Sequence, residues 1–322
     1  MGPNQGAHRP SMQLSIVTPL LNAGDHVAEA IDSVIQQLDA LHAEGFTVEH
    51  IVIDGGSTDG THAVLARYPY LRVVIGPDRN LYDAINKGIG LAVGDVVALL
   101  NGDDLFAPGA LLTMMRAFAR RPDLDSVCGG VEVFADGPAE SRMVLTRIDA
   151  TPIKQLRLCD VISGVPLTNA RFFRRRVFER LGMFDLRFPI ASDRDFLMRV
   201  VLADLHRDVV EPVVYRYRAH ARSLTFGPLE GRARCRYDYA QLTMARLAEA
   251  TTPQARAAYR SWAAWVTGYD ILAALRQGRH GAALRGAVEG WRRDPLWPAR
   301  FLCLAAGHWR ERRLRHPADV TV

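Results

Sequence analysis

An α/β fold with a mostly parallel sheet is predicted by three features of this sequence. Short apolar runs alternate with segments of helical periodicity over the first 130 residues. The apolar runs end at glycine, proline or acidic residues, as strands do where they enter loops. After Pro228 the pattern is mostly helical, with no internal repeat. We therefore expect a sheet with helices on both faces, followed by a helical C-terminal extension.

The predicted elements follow one another in a regular order in the N-terminal half. Four strands are predicted at 14–18, 48–53, 71–75 and 95–100, of which 48–53 has the pattern of a buried strand. Helices are predicted between them at 27–41, 61–67 and 82–91, the second with N-cap candidates at Ser57, Thr58 and Asp59. Ligands of such sheets bind beyond the carboxyl ends of the strands, so we expect the functional residues there.

The rest of the chain gives the predicted domain boundaries. Residues 126–226 have a mixed pattern, with strands at 126–134 and 209–217 and a basic helix near 174–181. We expect a flexible leader at 1–12, a main domain at 13–226 and a basic helical extension at 227–322. The main domain would have two halves, 13–125 and 126–226.

Composition indicates a folded protein of a reducing compartment. The chain has 322 residues, 48% of them hydrophobic, and four widely spaced cysteines without a CxxC pair. Neither a signal peptide nor an apolar run long enough to span a membrane is evident. We expect a cytoplasmic protein that is soluble or attached peripherally to the inner face of the membrane.

Asp54 is the first candidate binding residue. It follows the second predicted strand in VIDGGSTDGT, beside two glycines. A carboxylate in this place can accept hydrogen bonds from a planar base such as uracil or guanine, which have ring N–H groups. The alternative for a lone Asp, and the more common one, is a turn or a helix cap, which is the role expected of Asp59.

Two further acidic pairs stand at element ends. Asn101-Gly102-Asp103-Asp104 follows the fourth strand, and adjacent carboxylates repel unless a cation or donors offset the charge. Mg²⁺ or Mn²⁺ would suit these oxygens, whereas a polar turn is the alternative. Asp193 and Asp195 begin a helix in IASDRDFLMRV, where the helix dipole alone favours acidic residues.

Taken together, five segments resemble family 2 glycosyltransferases, which have the Rossmann-like GT-A fold. They occur in the family's order over roughly residues 14–225. The segments are SIVTPLLNAG, HIVIDGGSTDGT, GPDRNLYDAINKGIGLAVGDVVALLNGDD, RLGMFDLRFPIASDRDFLMRV and VYRYRAHARSLT. The resemblance implies an inverting transfer of sugar from a nucleotide-sugar, with a UDP-sugar favoured and GDP- or dTDP-sugars next.

The resemblance also implies roles for individual residues. Asp54 would bind the base, and Asp103 would contact the ribose or the sugar. Asp193 would deprotonate the acceptor hydroxyl as general base. Asp104 would ligate a divalent metal, Mn²⁺ or Mg²⁺, on the diphosphate, and His220 would approach the metal or the diphosphate. The residues implied for donor binding are Thr18, Pro19, Asn22, Asp54, Gly55, Asp78, Asp83, Lys87, Asn101 and Asp103.

The sequence departs from the family pattern at three places. Leu21 stands where an aromatic residue is usual, and Ser192 stands where many relatives have Glu. VPLTNARFFRR also differs from the commoner acceptor-side sequences. The acceptor therefore cannot be assigned beyond a glycan or a lipid-linked molecule, and cell-envelope or exopolysaccharide assembly is implied by the resemblance alone.

The C-terminal extension carries the positive charge. Residues 228–322 contain 16 Arg against 8 Asp plus Glu, a net +8, so the remainder must carry −3 to give the total of +5. Trp262, Trp265 and Tyr269 share one helical face, and WRRDPLWPARFLCLAAGHWRERRLRH mixes apolar residues with Arg. Contact with an anionic membrane is one interpretation, and packing against the main domain is the other. No nucleic-acid recognition module is evident.

Two other functions remain as alternatives. A sugar nucleotidyltransferase would need a glycine-rich, basic signature after the first strand, which TPLLNAG does not supply. A noncatalytic nucleotide-sugar-binding or scaffold protein would not need Asp54, Asp103, Asp104 and Asp193 together. A dehydrogenase is disfavoured because GxGxxG is absent.

Overall fold

The computed structural model describes residues 12–137, 141–149, 151–165, 167–220 and 229–315. Contacts divide the chain into two compact units. The first unit comprises 1–149, 169–183 and 206–218, and the second comprises 150–168, 184–205 and 219–322. Residues 1–11 of the predicted leader lie outside the described residues, and the linear domain boundaries stay a prediction.

The first unit is built on a mixed sheet. Its nine strands in the described ranges are β1 (Gln13–Leu20), β2 (Thr47–Asp54), β3 (Arg72–Ile75), β4 (Val96–Leu99), β5 (Leu105–Phe106), β6 (Ser126–Asp136), β7 (Arg142–Ile148), β8 (Arg171–Arg174) and β9 (Arg207–Arg218). Their order is β3-β2-β1-β4-β8-β6-β9-β5, and β7 pairs with β6. The β3-β2-β1-β4 part is wholly parallel, and β6 also pairs in parallel with β9.

The four strands predicted in the N-terminal half are confirmed. In β1, β2 and β4 the residues near the carboxyl ends are buried, as in a parallel sheet covered by helices, whereas β3 at the edge of the sheet is largely exposed. The helices of the first unit in the described ranges are α1 (Val27–Ile35), α2 (Leu38–Ala43), α3 (Thr61–Leu65), α4 (Leu81–Leu91), α5 (Ala110–Arg120) and α8 (Arg175–Leu181). Asn80 caps α4, its side chain accepting from the N–H groups of Tyr82 and Asp83.

The helix predicted at 27–41 is two helices, α1 and α2. Buried Gln37 interrupts it. The Gln37 Nε2 donates to the Ser33 carbonyl at 2.8 Å, and its Oε1 accepts from Leu111 N at 3.0 Å. The side chain thus satisfies a carbonyl at the end of α1 and an N–H of the first turn of α5. Apolar periodicity does not reveal such a break.

The second unit is helical in its described part. Its helices are α6 (Thr151–Gln155), α7 (Leu158–Ser163), α9 (Ser192–Leu202), α10 (Leu229–Glu249), α11 (Pro253–Arg276), α12 (His280–Arg293) and α13 (Trp297–Arg315). The helix α11 packs against α7, α10, α12 and α13. The predicted helical C-terminal part is therefore confirmed. None of the helices in the described ranges is long and apolar enough to cross a membrane.

The aromatic face of α11 is largely internal. Trp262 is fully buried between Tyr259 and Tyr239, with ring centroids 6.3 and 5.9 Å away. Trp265 packs on Phe301 of α13 at 5.5 Å. These two tryptophans of the predicted membrane-facing stripe therefore serve packing inside the helical unit.

Candidate active site

Polar residues of the first unit collect where β1, β2 and β4 end. The register places Asp54 beside Leu20 of β1 and Ile75 of β3. Asp54 is fully buried, and its Oδ1 accepts from the backbone N–H and the hydroxyl of Ser57 at 3.0 and 2.6 Å. Its Oδ2 bonds to His62 Nε2 on α3 at 2.5 Å. The His62 side chain that bonds to this oxygen is itself half-exposed.

The loop after β1 is fastened to the loop after β2. Asn22 has a left-handed backbone, φ +53°, which Asn tolerates better than most residues. Its N–H donates to Ser57 Oγ at 2.8 Å, and its Oδ1 accepts from Thr58 N at 2.9 Å. Asn22 thus joins the loop after β1 to the loop that contains Ser57 and Thr58.

Two other predicted donor-binding residues lie inside the sheet. Pro19 is buried opposite Ile53 of β2. Thr18 is fully buried, and its hydroxyl bonds to His50 Nε2 at 2.8 Å. The donor-binding roles of Thr18 and Pro19 stay predictions.

Asp78, Asp83 and Lys87 form one cluster beside Gly55. Lys87 Nζ forms an ion pair with Asp78 and lies 3.5 Å from Asp83 Oδ2. The hydrogen bond from Lys87 accounts for one oxygen of Asp78, whereas Asp78 Oδ2 is buried without a hydrogen-bond partner. A Cβ at Gly55 would lie 3.0 Å from this oxygen, so Gly55 leaves it room. A buried carboxylate oxygen without a hydrogen-bond partner costs free energy, so we expect this oxygen to accept a hydrogen bond from a bound ligand.

The pKa values in this cluster follow its contacts. The N–H of Arg79 and the charge of Lys87 lower the pKa of Asp83 below its usual value. The hydrogen bond to Asp78 raises the pKa of Lys87. Both groups are therefore charged at neutral pH.

Asp104 is a buried anchor of the loop after β4. Its Oδ1 accepts from Arg218 N at 2.8 Å, and its Oδ2 accepts from the Tyr215 hydroxyl at 2.8 Å and from Asn101 Nδ2 at 3.0 Å. Burial, and then the charge of Asp103, raise the pKa of Asp104 to about 7, and these three donors oppose the rise. Asn169 Nδ2 donates to the same hydroxyl of Tyr215.

Arg218 ties the end of β9 to the same loop. The side chain is 1% exposed, and its Nε donates to the Asp103 carbonyl at 2.8 Å. Its guanidinium forms ion pairs with Glu29 and Asp136. The loop approaches β1 so closely that a Cβ at Gly102 would lie 2.1 Å from a Leu20 methyl group, so a larger residue at position 102 would require the Leu20 side chain to move.

The donor set suits a divalent cation at Asp103 better than at Asp104. Within the described ranges, no group of three or more His, Cys, Asp or Glu side chains is arranged to hold a metal. Asp103 is partly exposed, whereas Asp104 is fully buried and engaged by three donors. Mg²⁺ and Mn²⁺ need few protein carboxylates when phosphate oxygens complete the shell. A single accessible Asp103, with Asn101 nearby, meets that requirement.

Asp193 and His220 belong to the second unit. Asp193 is the second residue of α9 and is partly exposed, and its Oδ1 accepts from Arg194 N at 2.6 Å. His220 is also partly exposed and is the last described residue before 229. The roles predicted for both residues stay predictions.

Sequence reasoning did not single out several residues that shape the site. Tyr215 and Arg218 hold the loop of Asp103 and Asp104, and both occur in the quoted segment VYRYRAH. Both belong to the regular alternation of tyrosine and arginine in β9, so no local pattern sets them apart. His62 had no signal beyond its place in the first turn of a predicted helix.

Solved structures define the class of this fold. TarS from S. aureus, residues 1–349, has a TM-score of 0.53 at 15% identity, covering 88% of this chain and 92% of that chain. The mannosyltransferase PcManGT from Pyrobaculum calidifontis has a TM-score of 0.54 at 18% identity, covering 92% and 86%. The predicted GT-A fold with a helical C-terminal part is confirmed.

The family follows from sequence. The profile described as Glycosyl transferase family 2 matches residues 15–182, more than half of the chain. The chain belongs to this family and is a glycosyltransferase. A Mycobacterium tuberculosis protein described as an uncharacterized glycosyltransferase is 30% identical over 210 residues, 63% of this chain and 72% of that one. A PGL/p-HBAD biosynthesis glycosyltransferase of the same organism is 29% identical over 195 residues, 58% and 68%.

Proposed function

We propose that the protein transfers a sugar from a nucleoside-diphosphate sugar to a hydroxyl group, with inversion at the anomeric carbon. The acceptor would be a glycan or a lipid-linked molecule of cell-envelope or exopolysaccharide assembly. Support comes from the PGL/p-HBAD biosynthesis relative. Two proteins of the same fold add to it, since TarS was solved with UDP-GlcNAc and PcManGT with GDP-Man and Mn²⁺.

The orphaned Asp78 Oδ2 beside Asp54 and Gly55 is the observation that carries the donor site. Two carboxylates there offer acceptors to the N–H groups of a base or to ribose hydroxyls, and Asp54 Oδ2 becomes available when His62 turns away. Exposed Leu21 and Ile75 provide apolar contact for the faces of a base. A uracil base is favoured by the family resemblance, with guanine or thymine next.

Asp103 would hold the divalent cation. Its neighbour Asp104 would not contact the cation but would hold the loop in place, because its carboxylate oxygens already accept hydrogen bonds from Tyr215 and Arg218. When bound, the cation would supply Lewis-acid stabilisation of the departing diphosphate. His220 remains a candidate for contact with the same diphosphate.

Asp193 would act as the general base. An inverting transfer is a single in-line displacement, in which the acceptor oxygen attacks the anomeric carbon as the bond to the diphosphate breaks. Asp193 would take the proton of the acceptor hydroxyl, and such a base typically contributes about 10²–10⁴-fold to the rate.

The test of the donor site is a thermal-shift screen of UDP-, GDP- and dTDP-sugars with and without Mn²⁺. A ligand at a hundred times its dissociation constant should stabilise the protein by about 2.7 kcal/mol, which shifts Tm measurably. We expect a Mn²⁺-dependent shift with one nucleotide, lost in Asp78→Ala and kept in the exposed control Asp123→Ala. A protein that no nucleotide shifts, with or without Mn²⁺, would contradict the proposal.

A membrane partner is also part of the proposal, through the surface of α12. Leu284, Val288 and Trp291 are spaced i, i+4 and i+7 and are 67%, 44% and 59% exposed. Exposed Arg285 and Arg292 flank this stripe. An apolar stripe beside arginines fits an anionic bilayer surface, where the apolar side chains enter the interface and the guanidinium groups meet lipid phosphates.

A further inference from the structure

The backbone leading into α9 is held by another helix. The helix has Ala191 as its N-cap, which offers no side-chain hydrogen bond. Asp238 of α10 instead accepts from the N–H groups of Ile190 and Ala191, both at 2.8 Å through its Oδ2. Asp238 is 8% exposed, so this contact is protected from water. The carboxylate of α10 therefore holds the two residues that immediately precede the first turn of α9.

A second contact from α10 fixes the first turn of α9 beyond Asp193. Asp195 is fully buried, and Arg246 of α10 holds it in a bidentate pair with both distances at 2.8 Å, Nε to Oδ1 and Nη2 to Oδ2. Arg199 Nε donates to the same Oδ2 at 3.0 Å. A buried pair of this kind adds little net stability, but its fork geometry fixes orientation.

Arg194 supplies a third contact. Its guanidinium lies over the Tyr239 ring of α10, 5.1 Å from the centroid, and donates to the Gly164 carbonyl at 3.2 Å and to the Val161 carbonyl. The residues before and after Asp193 are thus anchored to α10, while Asp193 itself stays partly exposed. Such an arrangement sets the direction of one side chain through its neighbours.

We propose that Asp238 and Arg246 are positioning residues for Asp193, so that α10 belongs to the catalytic apparatus. This inference rests on the proposed function of Asp193 as general base. The family profile ends at residue 182, before both helices. Displacing a catalytic group by about 1 Å can reduce turnover about 100-fold without changing ground-state binding. The expected signature is a fall in kcat with an unchanged KM for the donor.

The test measures UDP release from UDP-glucose and UDP-N-acetylglucosamine with Mn²⁺, with water or octyl glycosides as acceptors. Asp238→Ala should lower kcat on the order of 100-fold. Asp238→Asn keeps an acceptor oxygen and should recover most of that loss. The matched control is Asp270→Ala, which breaks an exposed ion pair between α10 and α11 at Arg236 and should leave kcat unchanged.

Each outcome decides one point. A folded Asp238→Ala protein with normal kcat, or an Asp238→Asn variant as impaired as Asp238→Ala, would overturn the inference. If Asp238→Ala does not fold, Arg246→Lys decides in the same assay, since it keeps the charge but loses the bidentate geometry. Full turnover in Asp193→Asn would instead reject the assignment of Asp193 as general base. If the wild type releases no UDP from any tested donor, the proposed function itself is contradicted.

Discussion

Adjacent carboxylates at residues 103 and 104 have different surroundings. Asp104 faces inward and accepts hydrogen bonds from β9 and from Asn101, whereas Asp103 is partly exposed. Burial of Asp104 costs free energy, which the hydrogen bonds from these donors offset. The same hydrogen bonds fix the conformation of the loop. We infer that one carboxylate builds the loop and the other meets the ligand.

Substitution of the two residues should separate these roles. Asp103→Asn should weaken Mn²⁺-dependent nucleotide binding at least 10-fold, because it removes the charge nearest the cation. Asp104→Asn should change this binding only a few-fold, since an amide can keep most of the hydrogen bonds. Titration calorimetry with and without Mn²⁺ measures both. The reverse order of effects would make Asp104 the ligand, as the family resemblance implies.

Individual residues differ in how far the sequence predicts them. Asp54 and the pair Asp103–Asp104 stand at strand ends. These ends can be recognised in the sequence because each apolar run stops there at glycine and acidic residues. Arg218 could not be placed in the same way, because its burial depends on Glu29 and Asp136, which are far away in sequence. A local sequence pattern does not predict long-range ion pairs of this kind.

At the scale of elements, β1 and β2 are joined through a buried histidine. His50 of β2 bonds to the Thr18 hydroxyl of β1 at 2.8 Å and to the Tyr70 hydroxyl at 3.1 Å. Burial lowers the pKa of His50 to about 3 from its ordinary 6.5. The folded protein therefore keeps this imidazole neutral over a range in which the unfolded chain binds a proton.

This difference predicts how stability depends on pH. Below pH 6.5 the unfolded state binds a proton at His50, whereas the folded state leaves this imidazole neutral down to about pH 3. The free energy of unfolding therefore falls as the pH falls toward 3. Each pH unit costs at most about 1.4 kcal/mol, and the loss between pH 6.5 and 4.5 is about 2.3 kcal/mol because the unfolded imidazole is only half protonated at pH 6.5. Urea denaturation should show this loss in the wild type and not in His50→Gln. Parallel losses in both proteins, with the exposed control His42→Gln also parallel, would contradict it.

Helices and strands were predictable where the apolar periodicity was strong. They were not predictable where the tertiary contacts of a side chain determine the end of an element. The strands β1 to β4 follow from apolar runs, whereas the break between α1 and α2 depends on the contacts of Gln37. The strand β5 has only two residues, and the strand β7 is exposed along most of its length. Neither has the apolar pattern by which a strand is recognised.

At the scale of the whole molecule, the positive charge and the exposed apolar stripe occur in the same C-terminal segment. Residues 228–322 carry +8, and α12 presents Leu284, Val288 and Trp291 to solvent. The stripe predicted from sequence on α11 differs from this one, because helix packing buries Trp262. Which face remains outside depends on tertiary contacts and not on the spacing of aromatic residues.

Liposome flotation tests the α12 surface. The protein should float with vesicles of phosphatidylcholine and phosphatidylglycerol, less with phosphatidylcholine alone, and less at high salt because screening weakens the arginine contacts. Both the pair Leu284→Ser with Trp291→Ser and the pair Arg285→Gln with Arg292→Gln should reduce flotation. The exposed apolar control Val93→Ser, in the first unit, should not. Equal flotation of all variants would remove α12 as the docking surface.

The orphaned oxygen of Asp78 has a consequence for the evolution of this chain. The unpartnered Oδ2 of Asp78 lowers the stability of the ligand-free protein, whereas Oδ1 pairs with Lys87, so replacing Asp78 with Asn, which keeps an acceptor for Lys87, should make the empty protein more stable. A laboratory selection for heat resistance alone would therefore enrich variants that have discarded this charge, along with the donor site we assign to it. Sequences that keep Asp78 would then mark lineages in which the enzyme has been selected for turnover.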